Sequence, residues 1–343
     1  MSVVSERKRP KRSLKQGLAW WWQTRVQSWW TVKLPALRHQ QRQAAAGAMQ
    51  AQSGSGTLPF KTTAPPLPPV SASVNTAPTE SSGTEASSIT AILTLYKRGQ
   101  YQPQQVEALR AQTCPPDEIW LWCNSSDTVI NDLSELVDRV VVSNSNWKFW
   151  GRFALGNMAR TRYLCFFDDD ILPQPRWLEH CLQTYADGID GILGGSGVML
   201  PESGGYSSRH KVGWNGHHYE HACEVDLVGH AWFFRKEYLR FMWQQEPTTW
   251  ENGEDIHLSY MALKHAGLST WVPAHPESDP QCWSCRPDFG KAVGRSSTAT
   301  FKSDGHHNDR DDIVLSYRAD GWQVVSQRQR DREHASAATT TEP

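Results

Sequence analysis

The chain has 343 residues, 38% of them apolar and 21% charged, enough to bury one large core or two smaller ones. Its net charge of -1 conceals an asymmetry. Residues 1–42 hold ten Lys or Arg and one Glu, about +9, which leaves about -10 on the remainder. An acidic body excludes nucleic acid as its partner, and no apolar run approaches the roughly 20 residues that span a bilayer. The seven scattered cysteines, several inside apolar runs, read as reduced core thiols and predict a cytoplasmic location.

Taken in order, residues 1–42 open on Arg7-Lys-Arg-Pro-Lys-Arg12 and continue into a Trp-rich stretch. At about 100° per residue, Leu14, Leu18, Trp21, Trp22, Val26, Trp29 and Val32 gather on one face, interrupted by Arg25 and Lys33. Tryptophan beside basic residues suits a bilayer interface, so residues 14–34 are expected to make peripheral membrane contact. The competing readings are a disordered basic tail and a helix packed back onto the domain. Residues 43–88, rich in Ala, Ser, Thr, Gly and Pro around Pro65-Pro-Leu-Pro-Pro69, read as a linker that cannot bury a core.

The folded domain is expected over residues 89–325. Ile89 to Leu95 is a strand pattern, Tyr96-Lys-Arg-Gly-Gln-Tyr101 a polar turn, and a helix enters at Pro103. Further strands are predicted at Glu118 to Cys123, Val140 to Val142 and Tyr163 to Phe167, with helices around Leu133 to Val137 and Phe149 to Ala159. Strands alternating with helices imply a mainly parallel sheet covered on both faces, with ligands at the carboxyl ends of its strands. Such ends are Thr94 to Arg98, Asn124, and Asp168 to Asp170.

The last of these is the most informative. An apolar run ending in Asp168-Asp169-Asp170 reads as a buried strand stopping at a metal site, because adjacent carboxylates repel unless solvent or a cation screens them. Alternation along an extended chain puts Asp168 and Asp170 on one side and turns Asp169 toward a backbone donor or a sugar hydroxyl. A D-x-D pair holds Mg²⁺ or Mn²⁺ while leaving positions open for phosphate oxygens. The competing reading is an acidic turn capping the next helix.

Beyond Pro173, Gln174 to Ala186 reads as a helix and Gly191 to Gly197 as a strand with a tight turn, since no Lys-Ser/Thr follows to make a phosphate loop. Residues 201–222 form an irregular region. Val225 to Phe234 lead into a helix from Lys236 to about Trp243. A second acidic cluster, Glu254-Asp255, falls in the first turn of a helix ending near Gly267, where the dipole favours anions. Thr270 to Val272 is a further strand. Cys282-Trp-Ser-Cys285 has C-x-x-C spacing without the second half of a zinc pattern, and His306 or His307 could complete the Asp168/Asp170 metal site. Asp309 to Tyr317 is expected to be the last helix, and residues 326–343 a disordered tail.

Ile89 to Arg98, the Pro-Pro-Asp-Glu-Ile strand entry, Asp168-Asp169-Asp170, Val228-Gly229-x-Ala231-x-Phe233-Phe234 and Gly253-Glu254-Asp255 occur in that order. Together they resemble nucleotide-sugar glycosyltransferases of the GT-A fold, in particular family-2 glycosyltransferases and the exostosin-like N-acetylhexosaminyltransferases. The resemblance implies a Rossmann-like α/β fold, an Mn²⁺ or Mg²⁺ cofactor, a UDP-sugar donor and a hydroxyl acceptor. It implies that Thr94, Tyr96, Arg98, Asn124, Asp168, Asp169 and Gly229 meet the nucleotide sugar, and that Arg152 replaces a basic contact of the exostosin-like group. It further implies that Asp168 and Asp170 hold the metal and that Asp255, with Glu254 beside it, faces the reacting sugar carbon. The alternatives from other classes are a nucleotidyltransferase, whose glycine-rich basic loop the 95–100 turn lacks, and a non-catalytic sugar-binding scaffold.

Overall fold

A computed structural model describes residues 87–125, 133–214, 218–294 and 306–340. The Trp-rich segment and nearly all of the Pro-rich linker lie outside the described residues. The main sheet has eight strands, built from β1 (Ile89–Leu95), β2 (Glu118–Cys123), β3 (Arg139–Val142), β4 (Tyr163–Phe167), β5 (Ile192–Leu193), β8 (Cys223–Val225), β10 (Trp232–Arg235) and β11 (Thr270–Val272). Its order is β3-β2-β1-β4-β10-β5-β11-β8. β1 pairs in parallel with β2 and β4, β2 with β3, and β5 with β11, whereas β10 runs antiparallel to β4 and β5. A smaller antiparallel sheet has the order β7-β6-β9, from β7 (His210–Gly213), β6 (Ser196–Met199) and β9 (Leu227–Gly229).

β1 and β4 sit centrally and read as unbroken apolar runs because both faces are covered. Alternation divides them between two cores. Ile92, Leu164, Phe166 and Phe234 enter one, with Trp120 and Trp232, while Ala91, Leu93, Cys165, Phe167 and Phe233 enter the other. Helices α1 (Gln102–Arg110), α2 (Trp150–Gly156), α3 (Trp177–Ala186), α4 (Glu254–Ala266), α5 (Pro287–Gly294), α6 (His306–Ala319) and α7 (Val325–Thr340) complete the described fold. α4 begins at Gly253, whose φ of 82° is left-handed; a Cβ there would stand 2.5 Å from the Ile313 side chain.

Three expectations are corrected. Residues 133–136 form turns and not a helix. Lys236–Trp243 is a 3-10 helix, and its buried pairs Tyr238/Phe241 and Leu239/Met242 repeat at the three-residue spacing of that winding. Residues 325–340, expected to be almost wholly a disordered tail, form α7, whose first turn is tethered to β8: Val325 N donates to Asp226 at 2.7 Å and Arg328 pairs with Glu224 at 2.9 Å.

Candidate active site

The acidic triplet follows β4 at its carboxyl end, in the middle of the main sheet. Gln105, buried on α1, holds this turn by donating to Asp168 O at 2.8 Å and Ile171 O at 2.6 Å. The three carboxylates then diverge. Asp168 accepts from Arg152, and His230 Nδ1 lies 3.5 Å from its other oxygen. Asp169 receives the Nε (2.7 Å) and a terminal nitrogen of Arg98 in a two-point pair. That replaces the backbone donor or sugar hydroxyl expected for it. Asp170 makes no ion pair with Lys or Arg among the described residues and groups with Asp168 and His230, their ligating atoms all within 4.8 Å of one another.

This grouping fits a divalent cation. Burial and the neighbouring charge of Asp168 raise the pKa of Asp170, against the pull of His230 and Arg98. Burial opposes ionisation of Asp168 too, but Arg152, His230 and Arg98 hold it below the ordinary carboxylate value. His230 Nδ1 is buried without a hydrogen-bond partner among the described residues, a donor atom suited to a metal. The histidine of the group is therefore His230, and the expected ligand His307 lies outside it. His307 sits in the first turn of α6 with its ring stacked on Tyr206.

The backbone is strained where it aims His230. His230 and Ala231 have φ of 51° and 46°, left-handed values that cost non-glycine residues on the order of 1–3 kcal/mol each. They form the corner between β9 in the small sheet and β10 in the main one, and His230 O is fixed by Gly195 N at 2.9 Å.

The second acidic cluster joins the first through Arg152. This fully buried guanidinium lies 4.5 Å above the Trp232 ring and reaches Asp168 on one side and Glu254 Oε1, at 3.2 Å, on the other. Burial and the charge of Asp255 push Glu254 up, against Arg152 and Arg310. Asp255 is held by Arg310, which donates at 2.6 Å and also meets Asn252 Oδ1 at 3.3 Å while lying over the Tyr206 ring. Asp255 also borders Gly229, where a Cβ would come within 3.9 Å of its Oδ2.

The remaining predicted residues lie around the end of β1 and β2. Thr94 Oγ1 is buried without a hydrogen-bond partner among the described residues, and Tyr96 is half-buried under the Lys97 ammonium. Asn124 is buried and committed to a loop: its amide donates to Asn146 Oδ1 and Lys148 O, and its carbonyl accepts from Trp147 N, each at 2.8 Å. Its side chain thus positions residues 146–148, where a nucleoside contact was expected. Cys282 and Cys285 are buried free thiols belonging to no metal-ligating group among the described residues. Sequence reasoning missed His230, Arg310 and Gln105. His230 lay inside a motif already singled out, between Gly229 and Ala231, but nothing local marks the other two.

A comparison with curated proteins finds no match for the chain. Residues 90–243 match the model of Glycosyl transferase family 2. Those residues run from β1 through the triplet to the 3-10 helix after β10, and over that stretch the chain is similar to family-2 glycosyltransferases, nucleotide-sugar enzymes of the GT-A fold.

Proposed function

We propose that the chain moves a hexosyl or N-acetylhexosaminyl unit from a UDP-sugar to a hydroxyl acceptor, with Mn²⁺ or Mg²⁺ held by Asp168, Asp170 and His230. The observation that supports this best is the convergence of those three side chains at the carboxyl end of β4, with Asp170 lacking a guanidinium partner and His230 Nδ1 unbonded among the described residues. A cation bound there would neutralise the charge that develops on the departing diphosphate.

The chain's own residues do the rest. Arg98, fixed on Asp169, brings the turn after β1 against the triplet. Thr94 and Tyr96 offer a hydroxyl and a ring at the mouth of that turn. Arg152 sets Asp168 and Glu254 at a fixed separation and keeps a positive charge between them. Asp255 is the more exposed of the two α4 carboxylates and borders Gly229, so it is the one assigned to the acceptor hydroxyl, either taking its proton or orienting it. The pairing with Arg310 keeps that carboxylate aimed.

Calorimetric titration of UDP with and without Mn²⁺ tests the reading. Wild type should bind UDP more tightly with Mn²⁺, and Asp170→Ala should weaken that metal-dependent binding roughly tenfold or more while remaining folded by circular dichroism. Metal-independent UDP binding, or an unchanged Asp170→Ala, refutes the metal assignment.

A further inference from the structure

The loop that joins β6 to β7 is bound to α6, and α6 is bound to α4. Two stripes of α6 make these contacts. Arg310, Ile313 and Tyr317 recur at helical spacing and meet α4 and the residues before it: Arg310 at Asp255 and Asn252, Ile313 against Gly253, and Tyr317 Oη 2.6 Å from His257 Nδ1. Asp311 and Arg318, two turns apart, form the second stripe. Asp311 accepts from Ser207 N and Oγ at 2.6 Å each, and Arg318 donates to Glu202 O at 2.7 Å and to Pro201 O. The fit is close: a Cβ on Gly205 would stand 2.4 Å from Asp311.

Tyr206, in the short 3-10 turn of this loop, connects the two stripes. Its half-buried ring has the Arg310 guanidinium 4.1 Å and the Arg209 guanidinium 4.0 Å from its centroid. Arg310 directs in-plane N–H groups at Asp255 Oδ2 and Asn252 Oδ1, and such bonds leave the faces of a planar guanidinium open, so that it can tilt about them. The Tyr206 ring closes one face. Asp255 accepts from Arg310 on Oδ2 and from Ile256 N, at 2.8 Å, on Oδ1, so a tilt of Arg310 loosens one of the bonds that set the direction of this carboxylate. Arg310 is also a charge on a helix face whose other buried members are Ile313, Val314 and Tyr317. A buried ion pair is seldom worth more to stability than apolar packing at the same place, so the placement of this one points to the site it serves.

We propose that Tyr206 is a positioning residue for the reaction: by stacking on Arg310, it makes the seating of the 201–209 loop on α6 a condition for the aim of Asp255. The contacts stand by themselves, and the use made of Asp255 rests on the glycosyltransferase reading.

The test reads two quantities on the full chain. Turnover is the release of UDP from UDP-glucose and from UDP-N-acetylglucosamine with Mn²⁺, and the aim of Asp255 is hydrogen exchange at the Ile256 amide, which needs no substrate. Tyr206→Leu removes the ring and leaves Asp311 and Arg318 on the loop, whereas Asp311→Ala frees the loop and leaves the ring, so one variant decides if the other fails to fold. Each should lower kcat about tenfold with KM for the donor unchanged, because a misaimed reacting group is felt in turnover and not in donor binding. Each should also speed exchange at Ile256 about fivefold or more, while exchange at residues 260–263 of α4 stays as in wild type. Tyr206→Phe keeps the flat ring and should regain most of the rate lost in Tyr206→Leu. In an Asp255→Asn background, Tyr206→Leu should lower kcat no further, since two changes along one path are not additive. Full additivity there, or unchanged kcat and Ile256 exchange in the folded variants, overturns the positioning role. If wild type binds UDP but releases none without an acceptor, the Ile256 exchange alone decides. A wild type that neither binds UDP nor releases it overturns the glycosyltransferase reading instead, and the exchange still decides whether the loop and the carboxylate are linked.

Discussion

Glu254 and Asp255 are consecutive on α4, so their side chains leave the helix about 100° apart and meet different partners. Glu254 turns inward to Arg152 and, through it, to Asp168, whereas Asp255 turns to Arg310 and Gly229. Removing the charge from each should therefore have different consequences. Asp255→Asn keeps the shape and should lower sugar transfer by roughly 10²-fold or more with UDP affinity nearly unchanged, because the metal and nucleotide contacts proposed above lie at other strand ends. Glu254→Gln should have a smaller effect on turnover. It should also lower thermal stability, since it leaves the buried Arg152 guanidinium with Asp168 alone. Transfer rates, UDP affinities and melting curves on both variants decide the matter: a wild-type rate for Asp255→Asn beside a dead Glu254→Gln would reverse the roles.

At the scale of elements, α7 shows how a polar helix is held. Its first residue donates its backbone N–H to Asp226 Oδ1, while Leu200 N donates to Oδ2, both at 2.7 Å, and Arg328 and Arg332 reach Glu224. Asp226 is buried, and burial pushes its pKa to about 6 against the pull of those two N–H groups and of Arg328. A carboxyl raised above its unfolded value contributes stability that is fully present below the ordinary carboxylate pKa and lost as pH rises through about 6. Asn at 226 has one acceptor oxygen for two N–H donors and no titration, so Asp226→Asn should cost about 1–3 kcal/mol at pH 5. The gap in melting temperature from wild type should narrow toward pH 7.5. A gap independent of pH would mean that Asp226 does not titrate in this range. The same tether explains why the end of the chain was misread. β1, β2 and β4 announce themselves through short-range alternation and apolar runs, and the triplet through three adjacent charges. The docking of α7 depends on Glu224 and Asp226, about a hundred residues away, and no periodicity in Arg328 to Thr340 records it. His230 and Arg310 escaped for a related reason. One was brought to Asp168 by a strained corner between two sheets, and the other reached Asp255 from a helix carrying no motif of its own.

For the whole molecule, the separation of charge along the chain makes a prediction about where it resides. Residues 1–42 carry about +9 and the remainder about -10, so an anionic lipid surface repels the catalytic body and can attract only the leading segment. Each Lys or Arg close to such a surface contributes about 1 kcal/mol, and Trp20, Trp21, Trp22, Trp29 and Trp30 supply side chains that favour the headgroup region. Among the described residues no helix is long and apolar enough to cross a membrane. A deletion ending at residue 86 spares the fold's first bonds, since Ser88 O accepts from Tyr163 N at 2.9 Å and Ser88 Oγ from Arg162 N at 3.0 Å. The truncated chain should therefore melt as the full chain does and bind UDP with the same affinity. In sedimentation with phosphatidylserine-containing liposomes the full chain should pellet, and the truncated chain should stay in the supernatant. Raising salt from low to about 0.5 M should release most of the bound protein, because surface attraction decays over a Debye length of only about 10 Å at 0.1 M and less at higher salt. Equal pelleting of the two chains would place the lipid contact on the catalytic body, against its charge. Pelleting of the full chain that salt does not weaken would assign the contact to the tryptophans and not to the basic residues.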